Sequence, residues 1–136
     1  MQKVVNFLIV DDVDVTRDLL RGLIQSVATA QKFTFLINIL NAKNAEQARK
    51  AFKETWIDLA FLDIELPKES GLEILRFVKN EHPHCKTVMV SGNASKENVL
   101  AAVKVGILGF ISKPFNQSRV EEAIINFVKQ SKLQEN

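Results

Sequence analysis

Several features that would place the chain in a special class are missing. It has one cysteine, Cys85, so a disulfide framework and a thiolate metal cage are both excluded. Cys85 reads instead as a buried or inert thiol. No apolar run is long enough to cross a bilayer; stretches such as Leu59–Leu62 fall far short. No charged-then-apolar leader is expected, because Val4–Val10 runs straight into Asp11 and Asp12. The formal net charge of +2 is too small to argue for nucleic-acid binding, and the Lys and Arg residues are scattered. Sequence repeats, low-complexity segments and an interdomain linker are absent too.

What is present is the composition of an ordinary globular domain. With 46% hydrophobic and 25% charged residues, the chain is neither disordered nor a membrane protein by composition. Its 136 residues are enough for one hydrophobic core. One domain over 1–136 is expected, with a core from about 5 to 129, a polar tail at 130–136 that frays, and a cytoplasmic location.

Short apolar runs alternate with helical stripes. Val4–Val10 is a strand that ends at the acidic pair. Beyond Val15, residues Leu19, Leu20, Leu23, Ile24 and Val27 recur at helical spacing. Residues Phe33 to Leu40 read as a second strand, with Phe33, Phe35, Ile37 and Ile39 alternating along it. Asn44 offers an N-cap with Gln47 three residues on, and Ala45, Ala48 and Phe52 form the next buried stripe. Ile57 to Leu62 is an apolar strand interrupted by Asp58, read as a solvent-facing entry residue, and it ends at Asp63. Pro67 and Gly71 bracket a loop before the helix of Leu72, Leu75 and Val78, which His82-Pro83-His84 breaks. Thr87–Val90 is a strand ending at Ser91. Val99, Ala102 and Val103 mark a weakly apolar helix that stops near Gly106. Phe110 and Ile111 lead into Lys113-Pro114, and Val120, Ala123, Ile124, Phe127 and Val128 face the core from a last helix.

Five strand–helix repeats require right-handed crossovers and hence parallel strands. The fold class is α/β: a doubly wound five-stranded parallel sheet in a (βα)5 three-layer sandwich. Ligands in such folds sit at the carboxyl ends of the strands. Asp11 and Asp12 end the first strand, Asp63 the third, Ser91 the fourth and Lys113 the fifth, so all five converge on one edge. Crowded carboxylates either rise in pKa or hold a cation between them. Hard oxygen donors suit Mg²⁺. A lysine charge and a hydroxyl suit phosphoryl oxygens, and phosphoryl transfer to a carboxylate needs mainly positioning and charge neutralisation.

The runs VDD at 10–12, LDIELP at 62–67 with Gly71, VSG at 90–92 and FISKPF at 110–115 resemble the signature of the response regulator receiver domain of two-component signal transduction. The resemblance extends from Phe7 to about Val128. It implies a flavodoxin-like fold with Asp63 as phosphoacceptor and Mg²⁺ held by Asp12, Asp63, the Glu65 backbone carbonyl and, through water, Asp11. It also implies Ser91 as switch hydroxyl, Lys113 as phosphate-binding lysine, Phe110 as switch aromatic and a cis bond before Pro114. The implied partners are a sensor histidine kinase or histidine phosphotransfer protein, and a downstream protein or attached output domain. No membrane or direct nucleic-acid contact is expected, and a homodimer is left open. The only chemistry implied is the domain's own phosphorylation and dephosphorylation, not that of an enzyme.

Four positions depart from the pattern. Ser26–Lys32 lengthens the first helix-to-strand connection, Glu65 adds a carboxylate at the pocket mouth, Ile107 replaces a small residue, and Phe110 lacks a hydroxyl. Asn93, two residues past Ser91, occupies a position that tunes phosphoryl lifetime in the family. Two other readings stay open: a pseudo-receiver that binds proteins without being phosphorylated, and a phosphatase of the haloacid-dehalogenase type. The latter places its nucleophile on the first strand and an Asp two residues on, where this chain has a third strand and Glu65. His82 and His84 read as a surface turn, and Trp56 as a partly covered corner residue.

Overall fold

The computed structural model describes residues 2–133. The elements follow one another as β1 (Val4–Val10), α1 (Asp14–Gln31), β2 (Leu36–Ala42), α2 (Ala45–Glu54), β3 (Leu59–Asp63), α3 (Gly71–Glu81), β4 (Lys86–Ser91), α4 (Lys96–Val105), β5 (Gly109–Ser112) and α5 (Gln117–Ser131). All strands are parallel in one sheet ordered β2-β1-β3-β4-β5, so the chain reverses direction across the sheet after β2. That reversal opens a crevice between β1 and β3 at their carboxyl ends.

Continuous apolar strands follow from a sheet covered on both faces. Along β1, Val5, Phe7 and Ile9 face the layer of α1 and α5, whereas Leu8 and Val10 face α2, α3 and α4. The Phe7 ring is fully buried and meets Phe127 of α5 edge-on, with centroids 5.5 Å apart. Truncating such a ring costs about 3–5 kcal/mol. Polar side chains start four helices: Asn44, Ser70, Ser95 and Asn116 accept a backbone N–H from the first turn of α2, α3, α4 and α5. Gln47 of α2 also reaches back, but accepts the Lys43 N–H at 3.0 Å, one residue before the N-cap.

The structure departs from the periodicity in identifiable places. β2 starts at Leu36 because α1 runs to Gln31 and is closed by Lys32 in the left-handed conformation (φ 53°). Phe33 then returns its N–H to Ala28 O at 3.3 Å and stacks on Phe35, leaving no room for it in the strand. β3 starts at Leu59, with Ile57 and Asp58 leading in. Leu19 and Val103 fall on helical spacing yet are mostly exposed, and α4 fully buries only Ala102. Trp56 is 64% exposed, more than a corner residue would be. The tail is helical through Ser131, and Leu133 packs on the core; residues 134–136 lie outside the described residues. No helix among the described residues is long and apolar enough to cross a membrane.

Candidate functional site

The sheet delivers the charged residues to its carboxyl edge. Asp11 and Asp12 follow β1, Asp63 is the last residue of β3, and Lys113 follows β5. Asp11 and Asp63 are almost fully buried, at 3% and 4% exposure, which is exceptional for carboxylates outside an ion pair. The Lys113 ammonium lies between them, donating to Asp11 Oδ2 at 2.7 Å and to Asp63 Oδ2 at 2.9 Å. Each remaining oxygen takes a backbone donor: Val13 N–H on Asp11 Oδ1 (2.8 Å) and Glu65 N–H on Asp63 Oδ1 (2.9 Å). Asp12 stays exposed at the mouth. The bond between Lys113 and Pro114 is cis, in line with the expectation.

The charges do not balance. Burial pushes the Asp63 pKa above its ordinary 3.8, and neighbouring Asp11 adds to the rise; the Lys113 ammonium and the Glu65 amide only partly offset it. Burial works against the Lys113 charge too, but its hydrogen bonds to Asp11 and Asp63 prevail and raise its pKa. Two buried carboxylates thus share one ammonium, and Asp12 adds a third carboxylate close by. Asp11, Asp12 and Asp63 each offer an oxygen, and these lie within 4.8 Å of one another. Among the described residues this is the one group of three His, Cys, Asp or Glu side chains that could hold a metal ion. Its all-oxygen, doubly buried donor set fits a hard divalent cation such as Mg²⁺, whose charge would relieve the repulsion.

Ser91 is buried one strand over, but its hydroxyl is engaged elsewhere. Its Oγ accepts the Asn93 N–H at 3.0 Å and donates to the Glu65 carboxylate at 3.4 Å. Phe110 lies on the neighbouring strand β5, half-buried against the α2–α3–α4 side of the core. His82 and His84 do not join a metal cluster; His84 lies flat under Trp56 with ring centroids 3.5 Å apart.

Two features beside the site escaped the motif reading. A Cβ on Gly71 would sit 1.9 Å from Asp63 O, so only glycine lets the start of α3 touch the end of β3. Pro67 and Gly71 signalled the loop but not this approach. Arg49 and Glu69, 20 residues apart, form a two-armed ion pair beside the site that no local spacing announces. The pair lines a cleft of about 590 Å³ that opens next to Asp12.

Comparison with known proteins follows the same outline. The profile of the response regulator receiver domain matches residues 7–125. The chain is 32% identical over 117 residues to the chemotaxis protein CheY of Listeria monocytogenes, covering 86% of this chain and 92% of that protein. It is 34% identical over 117 residues to the nitrogen assimilation regulatory protein NtrX of Azorhizobium caulinodans, covering 85% of this chain but 24% of that longer protein. A Burkholderia pseudomallei response regulator structure, described with a phosphorylated aspartic acid, a calcium ion and citrate, superposes with a TM-score of 0.73 at 25% identity. That alignment covers 94% of this chain and 71% of the other.

Proposed function

Since the chain belongs to the response regulator receiver domain family, we propose that it is a phosphorylation-operated signalling switch with Asp63 as its phosphoacceptor. The observation that carries this is the Asp63 carboxylate, buried at a strand end, held by Lys113 and faced by two further carboxylates. An Asp63 oxygen attacks the phosphorus of a phosphohistidine on a sensor kinase or phosphotransfer protein. The P–O bond forms as the P–N bond breaks, and the imidazole leaves with the bonding pair and takes up a proton. Asp11, Asp12, Asp63 and the Glu65 carbonyl would hold Mg²⁺, which neutralises charge on the transferred phosphoryl oxygens. Lys113, already 2.9 Å from Asp63, is placed to turn its ammonium to a phosphoryl oxygen.

Ser91 carries the signal outward. Its proton leaves the Glu65 carboxylate for a phosphoryl oxygen, and the vacated volume admits the Phe110 ring. Phe110 has no phenol, so only apolar burial favours its inward position, at about 25 cal/mol per Å². The surface of α4, β5 and α5 changes with it and is read by a downstream protein or an attached output domain. The domain acts in the cytoplasm, and its chemistry is confined to its own phosphorylation and hydrolysis.

The test is labelling with a small phosphodonor and Mg²⁺. Wild type should acquire a hydroxylamine-labile label that Asp63→Asn lacks, and Mg²⁺ should raise the melting temperature of wild type but not of Asp12→Ala. Equal labelling of wild type and Asp63→Asn sinks the assignment. An unlabelled wild type that still binds partners would instead mark a pseudo-receiver. Ser91→Ala should still be labelled, but a beryllofluoride-type mimic should then leave the amide shifts of α4 and β5 unmoved. Full-sized shifts would remove Ser91 as the trigger.

A further inference from the structure

The loop between β3 and α3, residues 64–70, has no regular structure, yet it is fastened at both ends. At its base the Gly71 N–H donates to Ile64 O at 2.7 Å, with Gly71 pressed against the Asp63 carbonyl. At its far end Glu69 is gripped by Arg49 of α2, whose two terminal nitrogens donate to separate carboxylate oxygens at 2.7 and 2.6 Å. The Arg49 guanidinium also lies over the Phe77 ring of α3, 5.4 Å from its centroid. One side chain thus ties α2, the loop and α3 together.

This pair differs from the others. Arg17–Asp14, Lys50–Glu54, Arg76–Glu73 and Arg119–Glu122 each join neighbours within one helix, and of these four only Arg17 also reaches beyond it, donating to the Asp11 backbone carbonyl. Apart from the Lys113 pairs, Arg49–Glu69 is the ion pair among the described residues that spans separate elements. Partial exposure limits what it adds to global stability, but two parallel hydrogen bonds fix direction as well as distance. What the loop carries makes direction matter. The Glu65 N–H in it holds Asp63 Oδ1, while Lys113 holds Oδ2, so the loop sets the rotation of the carboxylate.

We propose that Arg49 and Glu69 form a positioning clasp, which holds the 64–70 loop so that the Glu65 peptide keeps the Asp63 carboxylate in its reactive orientation. Neither residue touches the reacting atoms; both act through Glu65. The functional consequence rests on the reading of Asp63 as phosphoacceptor, whereas the structural part does not.

The experiment uses the full chain as wild type, Arg49→Met, Glu69→Ala and the exchanged pair Arg49→Glu with Glu69→Arg. Hydrogen exchange is measured first, without metal. The Glu65 amide should exchange about ten-fold faster in each single variant, with Ala60 and Phe61 unchanged and the melting temperature moved by no more than about 3 °C. With Mg²⁺ and a small phosphodonor, metal affinity and labelling rate should each fall about three- to ten-fold. The exchanged pair should return all three readouts to within about two-fold of wild type. Unchanged Glu65 exchange in the single variants overturns the clasp. So does faster exchange with undiminished metal binding and labelling, or an exchanged pair that restores nothing. If wild type itself is never labelled, the acceptor reading fails, and Glu65 exchange still decides whether the clasp exists.

Discussion

The five strands have two ends, and both carry polar groups that the sheet partly buries. At the amino end, Asp58 accepts the Asn6 N–H at 2.8 Å, and the Asn6 amide donates in turn to Trp56 O. Asn38 donates to Asn6 Oδ1 at 3.1 Å, and the Lys86 N–H closes on Asp58 O. Here the one carboxylate, on Asp58, accepts a backbone N–H, and the amides satisfy one another and a backbone carbonyl. Cys85 is sealed beside it, with burial pushing its thiol pKa up to about 12. At the carboxyl end, Asp11 and Asp63 share one ammonium and two backbone N–H groups, and Asp12 adds a third carboxylate beside them. The amino end pairs its one carboxylate with a backbone donor, and the carboxyl end leaves a conflict that a cation can relieve. The proposed function sits at the end where folding alone does not satisfy the charges.

The comparison breaks most visibly at Gly71. Gly71→Ala places a methyl group inside the Asp63 carbonyl, and overpacking against backbone should cost about 3 kcal/mol in urea unfolding. Mg²⁺ binding should fall with it, because the 64–70 loop must move. A variant of wild-type stability would show that the contact is looser than 1.9 Å implies. Asp58→Ala, at the opposite end, should leave the Asn6 N–H unpaired and cost about 2 kcal/mol. Its labelling at Asp63 should stay within two-fold of wild type. A large drop in labelling would mean that the two ends are coupled through the strands.

Removing a carboxylate at the charged end should do the reverse. The folded pKa of Asp63 is raised above its ordinary 3.8, so the stability linked to this group is complete below that value and is lost as pH rises through the folded pKa. At neutral pH the ionised side chain therefore opposes folding. Without metal, Asp63→Asn should melt about 4 °C higher than wild type, a gain on the order of 1 kcal/mol. A lower melting temperature would show that Lys113 more than compensates the burial. Mg²⁺ should narrow the difference by stabilising wild type.

The smallest effect belongs to His84. Burial under Trp56, with His82 nearby, lowers its pKa below 6.5, against the opposing pull of Asp58 and the Ile57 backbone. Its contribution to stability is present above pH 6.5 and is lost as pH falls from there through the lower folded value. Because the ring is only partly buried, screening should hold the loss below about 0.5 kcal/mol. Measured in an Asp63→Asn background, denaturation midpoints at pH 7.5 and 5.5 should differ slightly, and His84→Gln should abolish the difference. Acid thus acts in opposite directions at the two ends: it relieves Asp63 and burdens His84. A His84→Gln variant with an unchanged pH slope would assign that slope elsewhere.

The alternation of apolar runs and helical stripes was sufficient for the strand–helix order, because a strand buried on both faces and a helix buried on one leave different periods. That order, with right-handed crossovers, also brings Asp11, Asp12, Asp63, Ser91 and Lys113 to one edge. Caps such as Asn44 with Gln47 were readable because their partners are three residues apart. Boundaries were less so: Phe33 has the alternation of a strand residue, but a left-handed Lys32 and a stack on Phe35 take it out of the sheet. Leu19 and Val103 have the spacing of core residues, yet no element covers them.

Pairwise geometry across long separations belonged to the tertiary structure alone. The sequence by itself determined the order of elements, the doubly wound sheet and the edge at which the carboxylates meet, since these follow from local periods and chain connectivity. Only the packed structure decided that Ser91 rests on Glu65, that Gly71 touches the Asp63 carbonyl, and that Arg49 closes on Glu69. Those contacts depend on loop conformations and side-chain directions set by neighbours from other elements, which leave no periodic trace in the chain.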